Sequence, residues 1–515
     1  MTLIQALLRH PKRFPNPVRG LKLIETHISW VILTGEYAYK IKKPLNLGFL
    51  DFSTLEKRHY FIEQELVLNQ ALTSSLYQSV LPIYGSETDP SFTPDGKPPI
   101  EYALQMREFS QRDLLTHWIK RVPHSTRNLA FETFIQQLAD FHKTAPLLPE
   151  NSPYGQMPEL QKAVYENFQV IETRSHHSEI LGLCAELRRW TESTLANLMP
   201  LLTSRKIAGF TRQLHGDLHL GNLVWFDDQV QAFDRIEFNP DFQWIDTMND
   251  LGFLLMDLEY RGYWHLAYRC LNLYLDITAD YESLKLLRFY KIYRALVLAK
   301  VAILSPHAHD HTRDHAVLSY LHYADNLRKK PNPLSPGIML MHGFSGSGKS
   351  ILATTVGTRL PALILRTDVY RQIHVLGQNT ATSTLYSPEN RFKVYVALLS
   401  YVKDLVQEGY PVVIDGSFLK AEHRQAFSDV AQQMNCPWVI IDLQVKLQTL
   451  QARLESPDQS TQKRFGSQAN FQVLEEQQRE AEALSPIEHA HLIRIRPKTS
   501  LRSVLKRLFS RFESN

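Results

Sequence analysis

Alternating hydrophobic and polar positions near the start of the chain predict a small sheet. Residues 28–31 and 37–41 are β-type runs with Gly35 between them, which is the pattern of a hairpin. Residues 100–108 alternate in the same way and predict another strand, whereas residues 55–72 have helical spacing. We therefore expect a sheet with one helix beside it in this part of the chain.

The next two hundred or so positions are mainly helical in pattern. Residues 129–143 and 179–202 have the apolar spacing of long helices. Residues 224–226 and 230–233 flank a polar turn and predict a short hairpin. Residues 326–336 are rich in lysine and proline, which is typical of a linker.

After this linker, short apolar strands alternate with helices. The strands are predicted at residues 337–342, 361–366, 411–414 and 438–443. Such alternation is typical of a doubly wound parallel sheet, which binds ligands at the carboxyl ends of its strands. We therefore predict a second domain at residues 337–515.

The composition is that of an ordinary globular protein. The 515 residues are too many for one core, and 44% of them are hydrophobic. Three cysteines, Cys184, Cys270 and Cys436, are far apart, which argues against a disulfide framework or a zinc site and fits a reducing compartment. No apolar run approaches about 18 residues and the start lacks the pattern of a signal peptide, so we expect a cytoplasmic protein without a membrane span.

Charge adds little, with one exception near the end of the chain. A net charge of +4 is mild for this length and makes a nucleic-acid partner improbable. Residues 494–511 are basic without an acid and carry apolar residues at helical spacing. We expect a closing helix packed on the second domain; the alternative is a helix that binds an anionic surface.

The histidines of residues 307–315 match no tetrahedral metal template, and we expect a solvated loop.

The residues His215-Gly216-Asp217, Asn222 and Asp234 have the spacing of a phosphoryl-transfer site. Such a site needs an Asp that receives the proton of the acceptor hydroxyl, an Asn that holds Mg²⁺, and a second carboxylate on the following strand. The predicted hairpin would bring Asn222 and Asp234 to one metal site. The competing interpretation is a His-Gly turn with a solvated Asp.

This stretch resembles the catalytic loop of the aminoglycoside phosphotransferase-like kinases, whose pattern is His-Gly-Asp-x4-Asn with a later Asp. The resemblance implies that Asp217 is the catalytic base, that Asn222 and Asp234 bind Mg²⁺, and that His215 is a candidate for phosphate or acceptor binding. The Asp-Phe-Gly of the family is absent, because Asp234 is followed by Arg235-Ile236-Glu237.

The same resemblance implies a protein-kinase-like bilobal α+β domain over residues 1–325, with an upper lobe at about 1–106 and a lower lobe at about 107–325. It also suggests that Asp246 or Asp250 braces the catalytic loop. The alternative for either residue is a carboxylate that favours the start of a helix.

A kinase-like upper lobe needs a strand lysine held by a helix glutamate, so that the ammonium reaches the phosphates. Lys40 is the first candidate, and Lys42 lies on the same strand face and stays open. Of Glu63 and Glu65 we favour Glu65 as its partner. A Gly-rich loop is missing; residues 26–29 take its place, and we expect backbone amides and the Ser29 hydroxyl to cover the phosphates there.

Residues 343–350 read Gly-Phe-Ser-Gly-Ser-Gly-Lys-Ser between a predicted strand and a predicted helix. This is the phosphate-binding P-loop in its required context, in which backbone N–H groups surround the phosphates, Lys349 reaches the outer phosphates and Ser350 holds Mg²⁺. The predicted nucleotide-binding residues of this loop are Gly343, Ser345, Gly346, Ser347, Gly348, Lys349 and Ser350.

From residue 337 to about 496 the chain resembles the small P-loop kinases of the gluconate kinase and zeta-toxin group. The resemblance implies that Asp368 is the acceptor-binding carboxylate or base and that Asp415 lies near Mg²⁺. Further candidates for binding phosphate or acceptor, each with a solvated helix charge as the alternative, are Arg371, Arg424, Arg453 and Arg464.

The whole chain resembles bacterial two-domain proteins that join an aminoglycoside phosphotransferase-like kinase to an AAA-type P-loop kinase domain. This implies an α/β multidomain protein with ATP and Mg²⁺ as cofactors, which transfers a phosphoryl group to a hydroxyl of an unknown small molecule. An ATP-sensing regulatory protein is the alternative, and a toxin-like kinase rests on fold analogy alone. The acceptor and the oligomeric state stay open.

Overall fold

The computed structural model describes residues 2–46, 50–73, 75–305, 310–375, 388–455 and 471–513. The chain forms two compact units. The first unit comprises Met1–Ala163 and Met199–Leu254, and the second comprises Val164–Leu198 and Leu255–Asn515. Within the described ranges, no helix is both long enough and apolar enough to cross a membrane.

The strands are β1 Lys22–Glu25, β2 Ser29–Leu33, β3 Tyr37–Lys42, β4 Tyr77–Ser86, β5 Asp89–Ser91, β6 Glu101–Arg107, β7 Thr211–Gln213, β8 Leu223–Phe226, β9 Gln229–Ala232, β10 Trp244–Asp246, β11 Gly337–His342, β12 Leu363–Arg366, β13 Pro411–Asp415, β14 Trp438–Leu443 and β15 Leu492–Ile495. The helices are α1 Leu3–Arg9, α2 Leu55–Gln70, α3 Leu115–Arg121, α4 His124–Thr144, α5 Met157–Arg174, α6 Ser178–Ile207, α7 Pro240–Gln243, α8 Thr247–Tyr260, α9 Trp264–Thr278, α10 Leu284–Leu304, α11 Asp310–Lys329, α12 Lys349–Arg359, α13 Thr367–Tyr370, α14 Pro388–Gln407, α15 Ala421–Gln433, α16 Leu447–Glu455, α17 Phe471–Glu480, α18 Pro486–His489 and α19 Leu501–Phe512.

In the first unit an antiparallel sheet has the strand order β1-β2-β3-β6-β4-β5. The predicted hairpin is present as β2 and β3, and Gly35 has φ of +91° in the turn between them. Helix α2 begins after Thr54, whose hydroxyl accepts from the backbone of Lys57. In β3 the buried residues are Ala38, Tyr39, Ile41 and Lys42, so both faces of this strand are largely covered.

Two small pairings in the same unit carry the predicted catalytic residues. Strands β8 and β9 form the predicted hairpin, with Asp227 and Asp228 in the left-handed conformation at its turn. Strand β10 pairs antiparallel with β7 and ends at Asp246. Asp246 therefore lies on a strand and not in the helix that the sequence predicted for it, while Asp250 lies in the first turn of α8.

In the second unit a parallel sheet has the order β12-β13-β11-β14-β15. The P-loop follows β11, the central strand. Both faces of β11 are buried except at its last residue, which is the burial expected of a parallel strand. Helix α19 packs Val504, Leu508 and Phe512 into the core of this sheet, so the predicted closing helix is confirmed.

The predicted α/β multidomain fold class is confirmed by these two sheets. The two compact units are not bounded like the predicted domains, because residues 164–198 and residues 255–325 both belong to the second unit. The expected linker at 326–336 begins inside α11, and Asn332 is buried where its amide donates to the Pro361 carbonyl at 2.6 Å. A separate kinase-like domain that ends at residue 325 stays a prediction.

Candidate functional site

Asp217 and Asn222 are joined directly in the first unit. A short 3₁₀ turn, Leu220–Asn222, turns the chain back so that the Asn222 amide donates to the Asp217 carboxylate at 2.7 Å and to its carbonyl at 3.0 Å. His219, which the sequence did not single out, places Nε2 3.4 Å from the same carboxylate. The Asp217 side chain remains one-third exposed, as a group that meets a substrate must be.

His215 supports this loop from the inside. It is fully buried, with Nε2 3.0 Å from the Phe233 carbonyl and Nδ1 accepting from the Asp217 amide at 3.3 Å. Burial lowers the pKa of His215 to about 4, so the ring is neutral near neutral pH. The prediction that His215 binds phosphate or acceptor does not fit this position, because both ring nitrogens face backbone groups of the protein.

Of the two carboxylates considered, Asp250 is the one that contacts the segment His215-Gly216-Asp217. Its oxygens accept from the backbone amides of His215 at 3.2 Å and Gly216 at 2.9 Å. Gly216 has φ of +83°, and a Cβ there would lie 2.4 Å from the Phe242 carbonyl. Asp246 instead pairs with the buried Arg205 at 2.8 Å.

Lys40 lies between the two carboxylates that the kinase interpretation requires. Its Nζ is 2.7 Å from Glu65 on α2 and 2.5 Å from Asp234, which follows β9. Burial alone would raise the pKa of Glu65, but Lys40 and Lys42 lower it to about 2. Of the two glutamates considered on α2, the structure brings Glu65 to the lysine and leaves Glu63 near His59.

Lys42 takes part in the same cluster, so the choice left open between Lys40 and Lys42 is not exclusive. Its Nζ is 2.7 Å from the other oxygen of Glu65 and forms a short ion pair with Glu237. Lys42 and Glu237 are both buried. One signal for this pair is visible in the sequence, namely an acid three positions after Asp234.

Arg235 occupies the place of the missing Asp-Phe-Gly phenylalanine. Its guanidinium donates to backbone carbonyls of Leu68 on α2 and of Gln213 and Leu214 near β7. Asp234 itself has φ of +62°, an uncommon conformation for a residue with a side chain. The arginine thus ties helix α2 to the segment that leads into the catalytic loop.

Residues 26–28 form the turn between β1 and β2, where a kinase-like lobe would have its Gly-rich loop. The Thr26 amide donates to the Ser29 carbonyl at 2.9 Å and closes the turn. Ser29 is fully buried, and its hydroxyl makes no hydrogen bond. The expectation that this hydroxyl covers the phosphates is therefore not supported by its position.

The P-loop of the second unit has the backbone that phosphate binding needs. Gly343, Gly346 and Gly348 have φ of +135°, +79° and +93°, conformations that favour glycine. The Ser347 hydroxyl is buried in this loop without a hydrogen-bond partner. An unpaired buried hydroxyl in a loop of this conformation fits an anionic ligand.

Other groups of the second unit lie on the same loop. Lys349 Nζ donates to the Phe344 carbonyl at 2.8 Å, and burial lowers its pKa. The Ser345 amide donates to the Gln477 side chain at 2.8 Å, and Arg453 donates to the Gly346 carbonyl at 2.9 Å. Arg453 is thus beside the P-loop, and its predicted binding of phosphate or acceptor stays a prediction. Gln477 is an addition that the sequence did not suggest.

A cavity of about 810 Å³ joins the P-loop to the other predicted residues of this unit. Asp368, Arg371 and Asp415 line it, and Asp368 forms an ion pair with Arg371. This volume is within the usual range of small-molecule sites. Three residues that line the cavity were not singled out from the sequence. Arg391 and Lys420 are positively charged, and His423 becomes so when it is protonated.

One predicted arginine that the structure describes, Arg424, is not among the residues that line this cavity. Arg424 is fully buried on α15, where it pairs with Glu488 and donates to the carbonyls of Phe418 and Leu419. This is a structural position, so we do not carry Arg424 into the site. Arg464 lies outside the described residues.

The donor sets fit Mg²⁺ better than they fit a transition metal. The described residues contain no group of three or more His, Cys, Asp or Glu side chains placed to hold a metal. Magnesium needs fewer protein ligands, because substrate phosphates and water complete its shell. Asn222 with Asp234, and Ser350 with Asp415, supply the oxygen atoms that such sites use.

Comparisons with known proteins agree with the C-terminal part of this description. Residues 338–484 match the family model described as AAA domain. This match confirms the prediction of an AAA-type P-loop domain at this end of the chain. Uncharacterized proteins of Mycobacterium tuberculosis and Mycobacterium bovis are each 27% identical over 411 residues, which is 76% of this chain and 78% of theirs.

Several solved structures of kinases have a limited similarity to this chain. A choline/ethanolamine kinase family protein from Mesorhizobium loti is 12% identical with a TM-score of 0.40, over 64% of this chain and 96% of its own. An ADP-bound aminoglycoside phosphotransferase is 14% identical at 0.36, over 63% and 98%. A gluconokinase from Sinorhizobium meliloti is 18% identical at 0.24, over 34% and 90%. Scores this low establish no shared function, whereas the P-loop relationship supports nucleotide-dependent phosphotransfer in general.

Proposed function

We propose that the protein is an ATP- and Mg²⁺-dependent phosphotransferase with two nucleotide sites. It would transfer a γ-phosphoryl group to a hydroxyl of a small molecule, in the cytoplasm. The observation that carries the proposal is the double contact of Lys40 with Glu65 and Asp234. A lysine held between a helix carboxylate and a candidate metal ligand is positioned to meet a nucleotide phosphate.

In the first site five residues divide the tasks. Asp217 takes the proton of the acceptor hydroxyl, and the Asn222 amide fixes the orientation of that carboxylate. Lys40 binds nucleotide phosphates, and Glu65 keeps its ammonium in place. Asn222 and Asp234 would hold Mg²⁺, which supplies charge neutralisation for the transferred group when bound. Because positioning and electrostatics provide most of the rate in phosphoryl transfer, no covalent protein intermediate is needed.

In the second site the P-loop amides and Lys349 bind the phosphates. Ser350 and Asp415 would hold Mg²⁺ there. Asp368 lines the cavity beside Arg371 and receives the proton of the second acceptor. The acceptor would enter the cavity, because it holds both the P-loop and this carboxylate.

The test is ATP turnover by the full-length protein with Mg²⁺ against a pooled library of metabolites and aminoglycosides, with mass detection of phosphorylated products. Wild type is compared with Asp217→Asn, Lys349→Ala and the double variant. Matched controls are Asp228→Asn and Lys446→Ala, which change exposed residues of the same type. We expect loss of one product class in each single variant and of both classes in the double variant.

The competing function is an ATP-sensing regulator. In its favour, Asp415 is already engaged by Arg366 at 2.6 Å, and the segment after Asp234 departs from the kinase pattern. A protein that binds nucleotide at both sites yet phosphorylates no member of the library would support the sensor. Product formation that survives in the double variant would remove both proposed sites from the chemistry.

A further inference from the structure

Arg366 is buried at the end of β12 between two carboxylates. Its Nε donates to Asp276 at 2.5 Å, and a second guanidinium nitrogen donates to Asp415 at 2.6 Å. A third contact joins it to the Thr354 hydroxyl at 2.8 Å. The side chain of Arg366 is only 1% exposed, so these groups satisfy its charge without help from solvent.

The three partners come from different parts of the second unit. Asp415 ends β13 and lines the cavity, and Thr354 lies on α12, the helix that the P-loop opens. Asp276 lies on α9, which precedes the P-loop by more than sixty positions in the sequence. A helix that is absent from the P-loop family match thus contributes a carboxylate behind the candidate metal ligand.

Helix α9 is fixed against β12 by further hydrogen bonds. The Asn272 amide donates to the Ala362 carbonyl at 3.0 Å, and its oxygen accepts from the Ile364 amide at 2.9 Å. The Tyr281 hydroxyl accepts from the Arg366 amide at 3.0 Å. Asn272 lies one helical turn before Asp276, so its bonds to β12 determine where the Asp276 carboxylate sits.

Charge explains what Asp276 adds. An arginine that paired with Asp415 alone would neutralise it and weaken its attraction for a cation. With Asp276 as a second partner, the three charged groups together carry one net negative charge. Coulomb interactions are strong in such a buried place, so this difference acts on any cation that Asp415 contacts.

We propose that Asp276 is a positioning residue of the second nucleotide site. It holds Arg366 and thereby sets the orientation and effective charge of Asp415 for Mg²⁺ bound with a nucleotide. The inference rests on the proposed nucleotide site in the P-loop. In this scheme α9 supports that site through Asp276, although no residue of α9 is among those that line the cavity.

The simpler interpretation is that the cluster only packs α9 against the sheet. The two interpretations differ in one measurable respect. A packing role would change stability and would affect nucleotide binding equally with and without Mg²⁺. A positioning role would change the Mg²⁺-dependent part of binding specifically.

The experiment uses the full-length protein carrying Lys40→Met throughout, which suppresses binding at the first site. ADP is titrated calorimetrically with excess Mg²⁺ and again with EDTA, and Mg²⁺ is titrated at fixed ADP. For Asp276→Asn we expect a loss of about tenfold in Mg²⁺ affinity, the scale of other residues that orient metal ligands. Affinity for ADP in EDTA should stay within about twofold of that of the parent protein, because no Mg²⁺ is then present for Asp415 to bind.

Two controls separate charge from packing. Asp404→Asn removes a carboxylate that pairs with Lys285 at 2.7 Å in the same unit, and should leave the Mg²⁺ titration unchanged. Asn272→Ala removes the contact of α9 with β12 without removing a charge. It should lower the melting temperature, and it should cost less Mg²⁺ affinity than Asp276→Asn, because both Asp276 and its charge are still present. Asp276→Glu keeps the charge and should retain more Mg²⁺ affinity than Asp276→Asn.

Each outcome decides the matter. Equal losses with Mg²⁺ and with EDTA, or an unchanged Mg²⁺ titration, would overturn the positioning role. If Asp276→Asn does not fold, Arg366→Lys replaces it, because an ammonium lacks the planar fork that reaches both carboxylates; an unchanged Mg²⁺ affinity in that variant would also overturn it. If the parent protein itself binds no ADP, the proposed second site fails, and this result is distinct from a failure of Asp276.

Discussion

Lys42 donates to Oε2 of Glu65 at 2.7 Å, the carboxylate oxygen that Lys40 leaves unused. One glutamate is therefore held by two lysines of the same strand. Lys42 also pairs with Glu237, whereas Lys40 pairs with Asp234. This division predicts that one lysine serves the ligand and the other serves the structure.

Lys40→Met should abolish nucleotide binding at the first site and leave the melting temperature little changed. Lys42→Met should leave Glu237 buried without its ion-pair partner and destabilise the protein by about 3–5 kcal/mol. Thermal unfolding and nucleotide titration of both variants provide the check. In the double variant Lys42→Met, Glu237→Met most of the stability should return, because both buried charges are gone; no recovery would contradict the buried-pair argument.

Asp217→Asn should lower turnover at the first site by at least about 100-fold, because an amide cannot accept the hydroxyl proton. Nucleotide affinity should hardly change, because the proposed role of Asp217 is to contact the acceptor hydroxyl and not the nucleotide. Steady-state kinetics and calorimetry of the same preparation measure the two effects. Asp228→Asn, at an exposed turn, should match wild type in both. Full activity in Asp217→Asn would remove Asp217 as the base.

The first site shows which of its features could be predicted from the sequence. The spacing of Asp217, Asn222 and Asp234 was sufficient to nominate the group, and the two-residue period of β3 placed Lys40 and Lys42 on one face. It could not tell which lysine meets which acid. That choice depends on Glu237, which lies 195 positions from Lys42 along the chain.

The second unit shows the same boundary between local and long-range information. The P-loop is a contiguous motif and was recognisable from its letters. The salt bridge of Arg366 with Asp276 joins residues 90 positions apart, and nothing in either local pattern marks them as partners. Arg424 shows the opposite error. The sequence nominated this helix arginine as a candidate for binding a ligand, whereas in the structure it is buried and pairs with Glu488.

The pH dependence of stability should reveal His215. Burial lowers the pKa of His215 to about 4, whereas an unfolded histidine has a pKa of about 6.5. Between these values the unfolded chain binds a proton that the folded protein does not, so stability falls as the pH is lowered through this window. The loss from this residue should be about 2 kcal/mol between about pH 7 and about pH 5.

His215→Gln isolates this contribution. The variant should be less stable than wild type near neutral pH, because glutamine cannot reproduce both contacts of the ring. Its stability should nevertheless depend less on pH in the same window, as measured by denaturant unfolding at several pH values. His124→Gln, at an exposed position, should keep the wild-type pH dependence. Parallel curves for wild type and His215→Gln would contradict the buried neutral histidine.

Asn272 should matter for stability far more than an ordinary helix asparagine. Strand β12 is the edge of the parallel sheet, and the Asn272 side chain satisfies one carbonyl and one amide of that edge. In Asn272→Ala both buried backbone groups lose their partner, at a cost of about 1–3 kcal/mol each. We expect a lower melting temperature for the transition of the second unit, with Asn197→Ala on the exposed face of α6 as the matched control.

A fragment of residues 337–515 lacks α9 and leaves the same edge open, so it should be less stable than this unit in the full chain and more prone to aggregate. If Asn272→Ala melts at the wild-type temperature, the edge is satisfied in some other way, and the fragment should then fold by itself.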